Sequence, residues 1–181
     1  GTSFDVSLVA DGESALAAQT AVDFGMVVRT PMIEITTIGA GGGSLARLDG
    51  AGGLRVGPES AGADPGPACY GRGGERATVT DASVVLGYIN PEYFAGGAVA
   101  LDPACALDVV KTAIAEPLGF PTERAAQGIH RVVNAQMAEA IRLTSTQRGY
   151  DPRRFTLVAL GGAGPIHATA LADELGIIQI I

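Results

Sequence analysis

Near its start the chain reads GTSFDV (residues 1–6), placing two hydroxyls, Thr2 and Ser3, and one carboxylate, Asp5, at the mouth of a strand. Far downstream, FTLVALGGAGPIHA (155–168) runs a continuous apolar segment into the turn Gly161, Gly162, Ala163 and Gly164, then into Pro165 and a helical pattern. A glycine turn between a buried strand and a helix aims backbone N–H groups at the helix N-terminus, where the peptide dipoles favour negative charge. That is the geometry of an anion or nucleotide site. The same glycines also suit a crossover that needs them only for close packing. Asp5 likewise has two readings, a working carboxylate and a solvated one on an exposed strand edge.

Other residues with chemical potential have structural explanations beside them. Cys69, in GPACYG, is a candidate nucleophile, but a reactive thiolate needs an electropositive setting, and a small buried residue in a tight turn explains it as well. Asp64 (GADPGP) and Asp81 (TVTDA) are natural turn and cap residues. His167 falls just inside a short helix and reads as a polar residue of its first turn. His130 is expected to be exposed, and Arg153 and Arg154 to lie in a solvated loop.

The elements that must position these groups follow from periodicity and punctuation. Ser3–Val9 alternates, with Phe4, Val6 and Leu8 on one face and Asp5 on the other, and Asp11-Gly12 is a hairpin-type turn. Met32–Ile38 alternates again and predicts an antiparallel return strand, with a third short strand over Ser44–Asp49. Residues of about 50–121 hold turn clusters (DGAGG, GADPGP, GRGG) and two helices, one over Asp81–Tyr88 capped by Thr80 or Asp81, the other over Pro103–Leu118. This segment reads as an insertion rather than core. A long helix is predicted over Glu123–Arg148, its apolar face carrying Ile129, Val132, Val133, Met137, Ala140, Ile141 and Thr144, with Gly149 ending it. Strand 155–160, the glycine turn, a helix over Ile166–Leu175 and strand 177–181 form a βαβ unit, which implies a parallel pair. The expectation is one mixed sheet built from the strands near 3–9, 31–38, 44–49, 155–160 and 177–181, crossed by the long helix.

Composition narrows the classes. The 181 residues carry a formal net charge of −7, which argues against nucleic acid or an anionic membrane as the main partner. It leaves a nucleotide open, because backbone N–H groups hold phosphate without Lys or Arg. No apolar run approaches the ~20 residues of a membrane span. The two cysteines form no CxxC pair or His/Cys cluster, so neither a disulfide framework nor structural zinc is expected, and a reducing cytoplasm fits. Glycine is abundant at 26 residues, half of them within 39–74, where the backbone must take positive φ or approach a neighbour closely.

Taken together, GTSFDV, MIEITTIGAGGGS (32–44) and GGAGPIHA resemble, in the same order, motifs of the actin, sugar-kinase and heat-shock-chaperone ATPases. The resemblance implies an α/β ribonuclease-H-like lobe of the actin-like ATPase fold. It implies that Thr2 and Ser3 contact phosphate, that Asp5 holds the water shell of Mg2+, and that Gly161, Gly162, Ala163 and Gly164 line the adenosine of ATP. A narrower resemblance covers essentially the whole chain: IGAGGGSLARLDGAGGLRVGPESAGADPGPACYGRGG, TVTDASVVLGYINPEYFAGG and RGYDPRRFTLVALGGAGPIHA are similar to the hydantoinase A/oxoprolinase family, which includes N-methylhydantoinases, 5-oxoprolinases and acetone carboxylase subunits. SAGADPGPACYG is the most specific of these blocks.

That family implies the nucleotide-side lobe of an ATP-dependent amidohydrolase opening a small cyclic amide, such as a hydantoin, 5-oxoproline or a related lactam, together with a hydantoinase B-type subunit or domain. Family members are several times longer, so the expectation is one lobe, residues 1–181, from a longer protein, with the partner lobe and first phosphate motif elsewhere and little activity in the fragment alone. Catalytic residues are left unassigned. The alternatives are a non-catalytic actin-like scaffold lobe that binds a partner subunit and a related ATP-dependent carboxylase subunit. The SAGADPGPACYG block speaks against a sugar kinase or chaperone.

Overall fold

The computed structural model describes residues 1–17, 19–21 and 26–181. The N-terminal region is a run of short antiparallel ladders. Strand β1 (Phe4–Val6) pairs with β8 (Thr36–Ile38), setting Asp5 opposite Thr37. Strands β2 (Val9–Ala10) and β3 (Glu13–Ser14) close a hairpin on Asp11-Gly12, where both residues take positive φ as such a turn demands. Strand β4 (Leu16–Ala17) pairs with β7 (Met32–Ile33), and β5 (Thr20–Ala21) with β6 (Val27–Val28). The return strand expected over 31–38 is therefore antiparallel to the first, as its alternation implied.

Strand β9 (Ser44–Leu48) pairs with β10 (Leu54–Ser60), a strand the sequence reading missed because Gly57 and Pro58 interrupt it; its register shifts between Val56 and Ser60. Asp49 shapes the connection, its Oδ1 accepting from Ala51 N–H at 3.0 Å and Gly53 N–H at 2.8 Å. On its other side β9 bridges to residues 77–78, with Ala46 N–H donating to the Ala77 carbonyl at 2.8 Å.

The single mixed sheet expected from the sequence is not formed. Among the described residues there are five two-stranded ladders, and segments 155–160 and 177–181 meet in parallel only at the bridge between Leu157 and Ile180. That pairing rests on Leu157 N–H to the Gln179 carbonyl, Ile181 N–H to Leu157 and Ala159 N–H to Ile181. The reason is geometric: β1 spends one edge on β8, and its neighbourhood meets 155–160 across an open cleft instead of through a ladder.

The helices supply the core. Helix α1 (Val79–Val85) starts earlier than expected and is capped by neither Thr80 nor Asp81. Its cap is Thr78, whose hydroxyl accepts from Asp81 N–H while the Asp81 carboxylate reaches back to Thr78 N–H, a reciprocal capping box. Helix α2 (Pro103–Val110), capped by Asp102, runs through a π turn at Lys111–Ala115 into α3 (Glu116–Leu118). Pro117 explains the widened turn, because its ring has no N–H to give and would collide with the carbonyl four residues back. Helix α4 (Thr122–Thr146) and helix α5 (Gly164–Leu175) complete the set, the latter ended by Gly176 at φ +68°. Ile129, Val133 and Met137 of α4 pack with Val79 and Ala82 of α1, Val110 of α2, Ile114 of the π turn and Leu171 of α5. Alanines at 82, 125, 126, 138 and 172 let these helices approach closely. Segment 50–121, expected outside the core, thus contributes Val56, Ala68, Ala77, Val79, Val109, Val110 and Ile114 to it. Among the described residues no helix is long and apolar enough to cross a membrane.

Candidate functional site

Three segments far apart in sequence, two of them glycine-rich, meet at one cleft of about 790 Å³. Gly1, Ser3 and Asp5 line it from the first strand, Gly41 and Gly42 from the loop between β8 and β9, and Gly161, Gly162, Ala163 and Gly164 from the turn before α5. Segment 155–160 forms one wall, and Thr144 and Ser145 of α4 lie beside it. Of the residues singled out from the sequence, Ser3, Asp5 and Gly161–Gly164 are brought together. Thr2 is exposed and does not line the cleft.

The middle loop is wedged so tightly that only glycine fits. A Cβ on Gly41 would stand 2.7 Å from the Gly1 carbonyl oxygen, and one on Gly42 would stand 2.7 Å from Thr80 Oγ1. Thr80 at the start of α1 donates from both N–H and Oγ1 to the Gly42 carbonyl, each at 2.8 Å, and Gly43 N–H donates to the Gly1 carbonyl at 3.0 Å. The turn before α5 is different. Gly161 needs glycine for its φ of +86°, but a Cβ on Gly162 or Gly164 would meet nothing within 4 Å, and neither takes a positive φ. Neither packing nor backbone conformation of this chain asks for glycine at those two positions. A molecule lying against the backbone would.

The electrostatics suit an anion held by backbone rather than by cations. Helix α5 begins at Gly164 with no side-chain cap; Pro165 has no N–H and Ile166 N–H donates to the Ala163 carbonyl at 3.1 Å, so the Gly164 N–H is the first-turn donor left without a partner among the described residues. No Lys or Arg is among the residues described as lining the cleft. Asp5 accepts from Thr37 Oγ1 at 2.6 Å through Oδ1, which fixes the carboxylate against β8. No group of three or more His, Cys, Asp or Glu side chains with metal-binding spacing occurs among the described residues. A single carboxylate fits Mg2+ nonetheless, since that ion keeps most of its waters and takes one or two carboxylates plus substrate phosphates.

The remaining candidates are structural. Asp81 is fully buried and accepts from Cys69 N–H at 2.8 Å, Thr78 N–H at 2.9 Å, Thr78 Oγ1 at 2.7 Å and Ala68 N–H at 3.4 Å. It thereby clamps the PACYG turn onto α1 and has no oxygen free for metal or substrate. Burial, reinforced by the Asp81 charge, pushes the buried Cys69 thiol far above its usual range, so it is no nucleophile at neutral pH. Asp64 is exposed in its turn. Arg153 and Arg154 are exposed, as expected, and Arg153 pairs with Asp151 through Nε and Nη2.

His130 corrects the sequence reading. It is 5 % exposed, not solvated, because α4 is covered by α1 and α5 on neighbouring faces. Its ring stacks on that of His167, itself 1 % exposed, with centroids 5.2 Å apart. Ser83 Oγ donates to the Val79 carbonyl at 2.8 Å, so His130 Nε2–H donates to Ser83 Oγ at 2.9 Å. His167 Nδ1–H donates to Asn134 Oδ1 at 2.6 Å, leaving Nε2 a buried acceptor without a partner among the described residues. Burial drives both imidazoles down to a pKa of about 4, helped at His130 by the neighbouring ring. The four-residue spacing of His130 and Asn134 on one helix was the available sequence signal for this network.

The hydantoinase/oxoprolinase family model matches residues 1–181. The chain is 49 % identical over 97 % of its length to caprolactamase subunit alpha of Pseudomonas jessenii, and 45 % identical over 97 % to the acetophenone carboxylase gamma subunit of Aromatoleum aromaticum. It is 38 % identical over its whole length to 5-oxoprolinase 1 of Arabidopsis thaliana. The crystal structure of the ATP-dependent caprolactamase from Pseudomonas jessenii superposes with a TM-score of 0.87 at 48 % identity, covering 99 % of this chain and 26 % of that one. A nucleotide-free acetone carboxylase, an enzyme of ATP-dependent acetone carboxylation, superposes at 0.86 with 37 % identity, covering 99 % and 25 %. The chain spans about a quarter of the caprolactamase and acetophenone carboxylase subunits and 15 % of the Arabidopsis oxoprolinase.

Proposed function

The chain belongs to the hydantoinase/oxoprolinase family, and we propose that it is the nucleotide-side lobe of an ATP-dependent enzyme that opens a small cyclic amide. The observation that carries this reading is the meeting of Ser3 and Asp5, Gly41 and Gly42, and Gly161–Gly164 at one cleft. The lobe is read as ribonuclease-H-like, with 50–121 inserted into it, inside a longer polypeptide. The turn before α5 takes the nucleoside end of ATP, where Gly162 and Gly164 leave its approach clear. The hydroxyls of Ser3 and, after a small movement of the exposed first turn, Thr2 take the phosphates. Asp5 holds Mg2+ through its water shell, and the ion supplies neutralisation of the phosphate charge.

The chemistry required is activation of a poor electrophile. The amide oxygen attacks the γ-phosphorus and ADP leaves. Water then adds to the amide carbon and the ring C–N bond breaks to leave an acyl phosphate, which a second water hydrolyses, giving amino acid, ADP and phosphate. This lobe contributes positioning and charge neutralisation; a second subunit or domain, of hydantoinase B type, completes ring opening. A carboxylase reading shares the ATP-dependent step and is favoured by the 45 % identity to an acetophenone carboxylase subunit. A scaffold lobe without turnover would need no hydroxyl–carboxylate mouth.

The test is Asp5→Asn in the full-length protein with its partner. The side chain keeps its shape and an oxygen for Thr37, so folding is unaffected within about 0.5 kcal/mol. ATP-dependent turnover falls on the order of 10²–10³-fold, the scale of one lost transition-state electrostatic contact, with partial rescue by excess Mg2+ or Mn2+. Wild-type turnover by the variant refutes the metal role and favours the scaffold.

A further inference from the structure

The turn that carries Gly161–Gly164 has little of its own to hold it. Three of its glycines have open space where a Cβ would stand, and α5 has no side-chain cap. The bridge between Leu157 and Ile180 anchors it from behind. Ahead of it, among the described residues, one side-chain hydrogen bond ties the first turn of α5 to another element: His167 Nδ1–H to Asn134 Oδ1 of α4, at 2.6 Å. The tie continues through the stacked His130 ring to Ser83 of α1, and α1 in turn holds Gly42 through Thr80. A buried polar chain beside a core of aliphatic side chains, with His167 Nε2 left unpaired, is a poor way to gain stability. It is a good way to fix one helix start against another.

We propose that His167 and Asn134 are positioning residues for the nucleoside end of the nucleotide: their hydrogen bond sets where the α5 N-terminus and its glycine turn sit in the cleft. This rests on the reading above that the turn takes the nucleoside. His167 touches no ligand; it acts through the helix start three residues before it. Because the phosphate end meets Ser3, Asp5 and the 41–42 loop instead, loosening α5 weakens nucleoside recognition and leaves phosphate recognition alone.

The experiment measures binding of Mg-ATP and of Mg-tripolyphosphate, which lacks the nucleoside, to the full-length protein by calorimetry. His167→Leu with Asn134→Leu replaces both partners by apolar groups of similar size, a change that is nearly neutral for folding, so the double variant remains available if either single one fails. ATP should bind about tenfold more weakly, the size of effect one net hydrogen bond carries. Tripolyphosphate should bind as to wild type. His167→Asn, whose amide nitrogen stands near the Nδ1 position, should retain most of the ATP affinity. Equal ATP affinity of the double variant and wild type overturns the proposal, as does equal weakening of ATP and tripolyphosphate. If the wild type itself binds no ATP, the nucleotide reading fails and this proposal with it; if wild type and double variant both bind ATP equally, only the positioning role fails.

Discussion

The stacked histidines make the fold acid-sensitive in a defined pH window. Both rings are buried and neutral, His167 with no partner at Nε2 and His130 donating to a hydroxyl, so neither has a carboxylate among its hydrogen-bond partners to stabilise a proton. Burial, first, and the neighbouring ring at His130, second, bring the folded values to about 4 against 6.5 for the free side chain. The folded state therefore binds fewer protons than the unfolded state, and stability rises with pH. The contribution is complete above pH 6.5, is lost as pH falls, and is gone near pH 4. At pH 5 the linkage amounts to about 2 kcal/mol per ring, or roughly 4 kcal/mol for the pair. That is a large share of the 5–15 kcal/mol typical of a domain. Urea unfolding at pH 7 and pH 5, compared between wild type and the double variant His130→Leu and His167→Leu, isolates the term from the carboxylates. Asp49, Asp102 and Asp151, lowered by their hydrogen bonds, titrate below this window. The wild type should lose several kcal/mol over the interval and the variant much less. Histidine ring titrations by NMR near 6.5 in the folded protein, or parallel pH profiles of the two proteins, would show the reasoning to be wrong.

Three further outcomes follow from the same geometry. Gly162→Val should fold as wild type, since its Cβ meets open space, yet weaken Mg-ATP binding at least tenfold in the full-length protein; undiminished binding would remove the turn from the nucleotide site. Asp81→Ala should destabilise the chain by about 3 kcal/mol, because Cys69 N–H and Thr78 lose their acceptor inside the core, and a chemical-denaturation midpoint near wild type would contradict this. The 181-residue chain by itself should bind Mg-ATP more weakly than micromolar, as effective charge neutralisation needs groups on both sides of the phosphoryl; tight binding in a calorimetric titration would mean that this lobe holds the nucleotide unaided.

Local physics was legible in the amino-acid order. The amphipathic period of α4, the Pro103 start and Gly119 end of the 103–118 helical stretch, Asp11-Gly12 in its hairpin, and the glycine turn leading into α5 all depend on residues a few positions apart. The capping box of α1 was equally local, in Thr78-Val79-Thr80-Asp81, but a second threonine made the start ambiguous by two residues. Family membership was also readable, because blocks such as SAGADPGPACYG are specific as strings. The structure sets Ala68 and Cys69 of that block on Asp81, and none of the block is among the residues described as lining the cleft.

Tertiary structure alone decided the rest. A helical period assigns one apolar face, yet α4 is covered by both α1 and α5, so His130 is buried on a side the period marks as polar. Alternation over 3–9 and the apolar run over 155–160 predict extended chain but not that a cleft separates the two, since an edge is paired or left open according to what packs beside it. The meeting of Asp5, Gly42 and Gly164 is likewise a property of distance in space: no local pattern encodes it, and it exists because helix packing brings the start of α1, the 39–43 loop and the start of α5 to one place.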